Sequence, residues 1–168
     1  IGALEAGHTL SIESDGSRRH ECYFDARKCL LNSRPDGKSA DLRGLLVDSI
    51  ENHFVADVPV GVFLSGGLDS ASITGLASEG EQGDLRTFTL GFEEFSGSPN
   101  DEVPLAEMIA ERYGTKHLTE RVDRSTFDSV LPNLMSSMDQ PSIDGLNTFL
   151  VSQSAAKQGL KVALSGIG

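Results

Sequence analysis

The chain has 168 residues, 38% of them hydrophobic and 23% charged, which indicates a globular protein of about one domain and excludes disordered and fibrous classes. Its formal charge of −11 argues against a nucleic-acid partner, because nucleic-acid binders usually carry a basic face. No apolar run approaches the ~18–20 residues of a transmembrane helix, so we also expect no membrane partner.

The cysteines and the N-terminal residues predict a cytoplasmic protein. Cys22 and Cys29 are seven positions apart, wider than the spacing of about two to four residues that is typical of paired zinc ligands. Ile1–Glu5 has neither the basic region nor the apolar core of a signal peptide. We therefore expect two reduced thiols and a cytoplasmic location.

The first 31 residues predict a β-hairpin. Two short strands, Thr9–Ile12 and His20–Phe24, flank a turn-rich stretch at Glu13–Ser17. A polar linker that contains proline and glycine follows over Asn32–Ala40. Because a lone hairpin is marginally stable in water, we expect this one to belong to a domain that is only partly present.

The rest of the chain alternates helices with strands. In chain order we predict a helix at Leu42–Val55, a strand at Val58–Leu64, a helix at Asp69–Ser78, a strand at Arg86–Phe92, a helix at Glu102–Tyr113, a strand at His117–Val122, a helix from Ser125 or Thr126 to Met138, a helix at Gly145–Gln158 and a strand at Val162–Leu164. Helix caps are expected at Asp41 and at Asn100 with Asp101. The alternation predicts a parallel α/β sheet, with ligands at the carboxyl ends of its strands.

A glycine-rich turn, Ser65-Gly66-Gly67-Leu68-Asp69-Ser70, follows the first of these strands. Gly66 and Gly67 permit backbone angles that are closed to other residues and a close approach of phosphate. Successive N–H groups and the helix dipole add partial positive charge, and Ser65 and Ser70 add hydroxyl donors. Asp69 fits beside a phosphate if it holds Mg²⁺, which takes oxygen ligands. The alternative is a plain strand-to-helix turn, with Asp69 merely near the helix start.

Two common nucleotide motifs are absent from the sequence. The turn does not end in Gly-Lys followed by Ser or Thr, so it is not the P-loop of kinases and GTPases. The chain also contains no Gly-x-Gly-x-x-Gly, which excludes the dinucleotide fingerprint.

The turn at Ser65–Ser70 matches Ser-Gly-Gly-x-Asp-Ser, the pyrophosphate-loop signature of the ATP-pyrophosphatase (PP-loop) superfamily. The preceding Asp57–Leu64 resembles the glutamine-hydrolysing, class B asparagine synthetase family more specifically, as do Asp139–Pro141 and Leu160–Gly166. Ala6–His8 resembles the end of the glutaminase domain of that family. The chain is therefore identified as a truncated member of that family.

The resemblance implies a fold and a reaction. It implies a doubly wound parallel sheet of the adenine nucleotide alpha hydrolase type over residues 32–168, preceded at residues 1–31 by the last hairpin of a glutamine amidotransferase domain. In this family ATP adenylates the side-chain carboxylate of aspartate, and ammonia from glutamine displaces AMP to give asparagine. The implied cofactors are ATP and Mg²⁺, and a homodimer is a further possibility that the resemblance raises.

The resemblance also assigns site residues. It implies that Ser65, Gly66, Gly67 and Ser70 hold the pyrophosphate, that Asp69 helps to ligate Mg²⁺, that Leu64 and Leu90 contact adenine, and that Ser165 and Gly166 form the second wall of the nucleotide site. For Leu90 an ordinary core position is the alternative. Asp139 and Asp144 either face the acceptor substrate or, in the case of Asp144, cap the following helix.

Four departures from the family pattern shape the expected function. Ile167 stands where asparagine synthetases proper often carry a glutamate that can act as a general base. The acceptor therefore stays open between aspartate and the carboxylates used by β-lactam synthetase-like or polysaccharide-associated relatives. The catalytic lysine, a further Mg²⁺-binding aspartate and the nucleophilic cysteine of the family have no counterparts in the chain. We therefore expect no catalytic residue here, and a fragment that at most binds nucleotide.

Overall fold

The computed structural model describes residues 2–32, 41–80, 84–140, 142 and 144–166. The chain divides into two compact units, Ile1–Ala40 and Asp41–Gly168. Most of the linker predicted over Asn32–Ala40 lies outside the described residues, as do Pro141 and Ile167.

The first unit contains the predicted hairpin. Strands β1 (His8–Ile12) and β2 (Arg18–Cys22) pair antiparallel, with His8 opposite Cys22 and Ile12 opposite Arg18. The connecting turn closes through a 2.9 Å hydrogen bond from the Gly16 N–H to the Glu13 carbonyl, and Gly16 takes the positive φ of 82° that favours glycine there. The hairpin prediction is therefore confirmed.

A short helix after the hairpin was not predicted. Helix α1 spans Ala26–Asn32, and the Asp25 carboxylate accepts a 3.0 Å hydrogen bond from the Lys28 N–H at its start. None of its residues is buried, so its sequence carries no apolar stripe facing a core within this unit.

The second unit contains a four-stranded parallel sheet. Its strands are β3 (Val60–Phe63), β4 (Arg86–Phe92), β5 (Lys116–Val122) and β6 (Val162–Leu164), in the spatial order β5-β4-β3-β6. All three neighbouring pairs run parallel, which confirms the predicted α/β class. Because β4 and β6 lie on opposite sides of β3, the strand order changes direction at β3, and such a point is where open α/β sheets bind ligands.

Helices flank the sheet. They are α2 (Leu42–His53), α3 (Leu68–Gly80), α4 (Val103–Arg112), α5 (Arg124–Ser137) and α6 (Gly145–Lys157), with a 3₁₀ turn at Glu93–Phe95. Because parallel crossovers are right-handed, the strand order places α3 and α4 on one face of the sheet and the connection from β5 to β6 on the other, as expected for a doubly wound sheet.

Alternation along β3 connects the sheet to these helices. Val62 packs with Ile50 and Ala77 of α2 and α3, while Leu64 packs with Ala106 of α4. Phe63 points to the opposite face, where its ring meets Phe88 edge-on at 6.4 Å between centroids. Side chains of β3 therefore make contacts on both faces of the sheet.

The N-terminus of α4 differs from its prediction. The Asp41 cap of α2 is confirmed, because the Asp41 side chain accepts from the Gly44 N–H at 3.0 Å. At α4 the cap position is Glu102, which makes no side-chain capping bond. The Asp101 carboxylate instead accepts a hydrogen bond from the Val103 N–H at 3.2 Å. The predicted cap at Asn100 is therefore wrong, and the predicted cap at Asp101 is confirmed only in this hydrogen bond.

Helix α5 begins earlier than predicted. The cap is Asp123, whose carboxylate accepts the Thr126 N–H at 2.8 Å, so the helix begins at Arg124 and not at Ser125 or Thr126. Pro132 lies inside α5, which continues past it. No helix among the described residues is long and apolar enough to cross a membrane.

Candidate functional site

A cavity of about 530 Å³ lies at the carboxyl end of β3, a volume within the usual range for small-molecule sites. The ends of β3 and β4, the starts of α3 and α4, one face of α6 and the residues after β6 form its walls. Of the site residues predicted from the sequence, those that line it are Leu64, Ser65, Gly67, Asp69, Ser70, Leu90, Ser165 and Gly166. Gly66 is the predicted site residue that does not.

Ser70 holds the loop between β3 and α3 together. Its hydroxyl accepts a 3.1 Å hydrogen bond from the Ser65 N–H and lies 2.9 Å from the Ser65 hydroxyl oxygen. It also lies 3.2 Å from the carbonyl oxygens of Ser65 and Gly67, to either of which it can donate. Only 5% of Ser70 is exposed, so its hydroxyl faces mainly into the loop.

The two glycines of the loop make different contacts. Neither Gly66 nor Gly67 has a positive φ, so the prediction that they use backbone angles closed to other residues is wrong. A Cβ atom on Gly66 would lie 3.2 Å from the Leu105 Cδ2 atom of α4. The Gly67 N–H donates to the Ser65 hydroxyl oxygen at 3.1 Å. Gly66 therefore brings the loop close to α4, while Gly67 stays at the cavity.

The first turn of α3 contributes backbone N–H groups to the cavity lining, and such groups suit an anion. The first N–H groups of a helix have no acceptor within the helix, and the helix dipole makes this end partially positive. Asp69, in the first turn, is exposed and lines the cavity. A phosphate with a bound cation fits this combination of backbone donors and one carboxylate.

Gly166 lies against the first turn of α3. Pairing of Val62 with Leu164 carries the chain after β6 alongside the loop, so that Ser165 and Gly166 reach α3. A Cβ atom at Gly166 would lie 3.0 Å from the Ser70 amide nitrogen and 3.2 Å from the Asp69 Cβ atom. A larger residue there would displace the backbone of the first turn of α3.

Much of the remaining cavity lining is apolar. The side chains concerned are aromatic or aliphatic: Phe63, Leu64, Phe88, Leu90, Phe92, Phe95, Val103 and Val151. Phe92 and Phe95 meet edge-on at 6.3 Å between ring centroids. Such a wall suits a flat heteroaromatic ring. Leu90 is only half-buried and lines the cavity. It is therefore not the ordinary, fully buried core residue that the sequence offered as an alternative to adenine contact.

The polar lining of the cavity is acidic. Asp69, Asp101, Glu102 and Asp144 contribute carboxylates, and the described lining residues include no Lys, Arg or His. The Arg121 guanidinium donates to Asp101 at 3.0 Å and holds the pKa of that carboxyl below its usual range. A polyanionic ligand therefore needs backbone N–H groups and a metal cation to bind here.

Asp139 and Asp144, whose roles the sequence left open, have different surroundings in the structure. Asp144 lines the cavity, and although it occupies the cap position of α6 it makes no side-chain capping bond. Asp139 is exposed and is not among the described lining residues. The cavity-facing interpretation of Asp144 is thus the one that its surroundings favour.

The donor set fits one kind of metal site. No group of three or more His, Cys, Asp or Glu side chains among the described residues is arranged to hold a metal ion by itself. Mg²⁺ commonly binds through one or two carboxylates together with substrate phosphates and water. A single carboxylate such as that of Asp69 is enough for this role, whereas a zinc or calcium cage would need more protein ligands.

Comparison with known proteins gives the family. The family model described as asparagine synthase matches residues 41–168, which is most of the chain. The chain belongs to the asparagine synthase family. The recognition of this family from the motifs at the strand ends is confirmed.

Several curated relatives carry the same name. The chain is 32% identical to asparagine synthetase [glutamine-hydrolyzing] 1 of Bacillus subtilis (strain 168), over all of this chain and 26% of that protein. It is 36% identical to a putative asparagine synthetase [glutamine-hydrolyzing] of Mycobacterium tuberculosis, over 83% of this chain and 21% of that protein. The chain thus spans about a quarter of the length of these relatives.

Two further comparisons are more distant. Amidase chyE of Penicillium rubens is 27% identical over 96% of this chain and 27% of its own length. The solved NH3-dependent NAD synthetase from Campylobacter jejuni matches with a TM-score of 0.45 at 16% identity, over 73% of this chain and 53% of that chain. The fold class here rests on the sheet and its connections.

Sequence reasoning missed part of the cavity wall. Asn147, Thr148 and Val151 of α6 line the cavity beside Asp144, which the sequence had suggested. Their spacing of three and four residues places them on one side of a helix, and this signal was present in the sequence. The aromatic side chains of β4 were missed because an apolar strand residue looks the same whether it faces a core or a ligand.

Proposed function

We propose that this chain is the nucleotide-binding part of a synthetase that activates a carboxylate with ATP and then converts it into an amide. The observation that carries the proposal is the polarity of the cavity. The loop and the first turn of α3 supply backbone donors and Asp69, and aromatic and aliphatic side chains supply much of the remaining lining. This arrangement matches the triphosphate and the base of ATP.

The proposed binding mode uses residues of this chain only. The loop from Ser65 to Ser70 and the first turn of α3 hold the pyrophosphate, and Ser165 with Gly166 covers its other side. Leu64 and Leu90, in the apolar part of the lining, contact the adenine. Asp69 is the residue that would hold Mg²⁺, which supplies charge neutralisation on the phosphates.

The proposed reaction has two steps. An oxygen of the acceptor carboxylate attacks the α-phosphorus of ATP, and pyrophosphate leaves with the electrons of the broken P–O bond. Ammonia then attacks the acyl carbon of the acyl adenylate, AMP leaves and the nitrogen loses a proton to give the amide. Little covalent help is needed for the first step, because orientation and charge stabilisation supply most of the acceleration.

The proposed acceptor is the side chain of aspartate, and the proposed ammonia source is glutamine. Support comes from the relatives, whose names state asparagine synthesis with glutamine hydrolysis. The hairpin unit would then be the end of a glutaminase domain, consistent with its resemblance. A homodimer and a cytoplasmic location stay predictions.

A second acceptor is the alternative to aspartate. Ile167 stands where a possible general base occurs in asparagine synthetases proper, and one relative is named an amidase and not an asparagine synthetase. A nucleotide-binding module without complete catalysis is the third possibility. The three possible functions predict different products from the same assay.

The test is product analysis on the longer protein that carries this chain. With Mg-ATP, ammonium and a panel of carboxylates, aspartate should give asparagine, AMP and pyrophosphate in equal amounts. Labelled pyrophosphate should also exchange into ATP only when the correct carboxylate is present. Release of ADP and phosphate would contradict adenylation, exchange with a different carboxylate would replace aspartate, and ATP binding without exchange would support the non-catalytic module.

A further inference from the structure

Thr89 of β4 forms a buried contact with the last residue before the nucleotide loop. Its hydroxyl donates a 2.6 Å hydrogen bond to the carbonyl oxygen of Leu64. Both residues are only 2% exposed, and Thr89 itself does not line the cavity. The contact therefore lies behind the wall of the site.

This hydrogen bond ends the ladder between β3 and β4. The Leu64 N–H still donates to the Phe88 carbonyl at 2.8 Å, as in a regular parallel pair. In a continued parallel ladder the Leu64 carbonyl would then accept from the Leu90 N–H. It accepts from Thr89 instead, so the chain leaves the sheet at Leu64 and the loop begins there.

The loop is thus fixed at both of its ends. At its exit, Ser70 accepts the Ser65 N–H at 3.1 Å. At its entrance, Thr89 fixes the peptide that joins Leu64 to Ser65. A loop that must present backbone N–H groups to an anion gains affinity when those groups are held in place before the ligand arrives.

We propose that Thr89 is a positioning residue for nucleotide binding, acting through the Leu64 carbonyl on the path of the Ser65–Ser70 loop. The inference rests on the proposed function for its ligand, ATP. It assigns to Thr89 a role beyond satisfying a buried hydroxyl. Loss of the donor should loosen the loop and weaken Mg-ATP binding more than it lowers overall stability.

Thr87 provides the matched control on the same strand. It is also 2% exposed, and its hydroxyl lies 2.7 Å from the Thr115 hydroxyl oxygen and 2.9 Å from His117 Nδ1. Those partners belong to β5 and to the residue before it, and not to the loop. Thr87→Val and Thr89→Val therefore each remove one buried hydroxyl from β4, but only the second removes a loop contact.

The experiment compares Thr89→Val, Thr89→Ser and Thr87→Val in the 168-residue chain. Calorimetric titration gives the Mg-ATP affinity, thermal unfolding gives stability, and amide hydrogen exchange reports on residues 64–71. We expect Thr89→Val to weaken Mg-ATP binding about five- to tenfold and to speed exchange in that segment. Thr89→Ser should restore both, and Thr87→Val should leave both unchanged at a similar loss of melting temperature.

The outcomes separate this inference from the proposed function. Thr89→Val with unchanged exchange at residues 64–71 overturns the positioning role, and so does an equal loss of affinity in Thr87→Val. An unmodified chain that binds no Mg-ATP, while Thr89→Val still speeds loop exchange, contradicts the proposed function and leaves Thr89 as the residue that fixes the loop.

Discussion

The hydroxyl oxygens of Ser65 and Ser70 lie 2.9 Å apart and connect the end of β3 to the first turn of α3. The sequence pattern suggested both hydroxyls as phosphate donors. Ser70 is instead surrounded by groups of its own loop, which gives its side chain a role in loop shape. Direct contact between its hydroxyl and pyrophosphate stays a prediction.

Ser70→Ala should weaken Mg-ATP binding by about tenfold, because the Ser65 N–H loses its acceptor and the loop loses its fixed shape. Calorimetric titration measures this loss. The control is Ser72→Ala in the same helix, an exposed residue whose hydroxyl donates to the Leu68 carbonyl at 2.8 Å. Equal affinities for the two variants would show that the Ser65–Ser70 contact is irrelevant to binding.

Gly166→Ala should reduce Mg-ATP affinity at least about tenfold, because the new methyl group meets the backbone at the start of α3. The Ser70 amide nitrogen, 3.0 Å from the new Cβ atom, belongs to the first turn of α3, where we propose that the pyrophosphate binds. Gly80→Ala is the matched change, since a Cβ atom there meets nothing within 4 Å. Nucleotide binding that survives Gly166→Ala intact would place the pyrophosphate elsewhere.

Arg121→Met should lower the melting temperature at pH 7 more than Lys116→Met on the same strand. Asp101, only 5% exposed at its side chain, accepts from Arg121, whereas the ion pair between Lys116 and Asp84 is largely exposed. Exposed ion pairs contribute little to stability. Thermal unfolding of the two variants provides the comparison, and an equal or larger loss for Lys116→Met would contradict it.

The ion pair between Arg121 and Asp101 should also make the stability of the protein depend on pH under acid conditions. Arg121 lowers the pKa of Asp101 from its ordinary value of 3.8, so its contribution is present above that value and is lost as pH falls through the lower folded pKa. The difference between the wild-type chain and Arg121→Met should therefore shrink below about pH 4. A difference that stays constant down to pH 2 would exclude this linkage.

His117 should make the protein less stable as the pH falls below 6.5. Burial lowers its pKa from the ordinary value of 6.5, against the opposing effect of Glu107, so the folded state binds the proton less well than the unfolded state. The stabilising effect is complete above pH 6.5 and declines towards the lower folded pKa. Denaturant unfolding between pH 5 and 7.5 should show a free energy of unfolding that falls as the pH falls, and His117→Gln should reduce this pH dependence. An unchanged pH dependence in the variant would assign it to other groups.

Hydrogen bonding gives this histidine a defined tautomer. The Thr119 hydroxyl donates to Glu107 at 2.8 Å, so the Thr119 oxygen accepts a hydrogen bond from His117 Nε2, 3.1 Å away. Nε2 therefore carries the proton, and Nδ1 accepts from the Thr87 hydroxyl at 2.9 Å. A proton on Nδ1 would turn this acceptor into a donor, which adds a hydrogen-bonding reason for the neutral ring.

The sheet and the loop could be predicted from local signals. Apolar runs such as Val60–Phe63, followed at once by Gly66 and Gly67, indicate a buried strand and a tight turn without any tertiary information. Helix starts were less predictable. Asp123 and Ser125 are both good caps, and the choice depends on which carboxylate or hydroxyl reaches an N–H three residues on.

The apolar wall of the cavity could not be predicted in this way. Phe88 and Leu90 alternate along β4 as core residues do, yet both line the cavity. The role of the glycines was also hidden, because sequence does not distinguish a glycine that needs a positive φ from one that needs room, as Gly66 does against Leu105. Both depend on packing between elements distant in the chain.

The most direct test of the account is calorimetric titration of Mg-ATP into this chain and its Asp69→Asn variant, with Asp48→Asn of α2 as the exposed control. We predict saturable binding that prefers Mg-ATP to Mg-GTP, disappears when EDTA removes Mg²⁺, and weakens at least about tenfold in Asp69→Asn but not in Asp48→Asn. Equal binding of ATP with and without Mg²⁺, unchanged by Asp69→Asn, would contradict the proposed site. A folded chain that binds no Mg-ATP would contradict it as well.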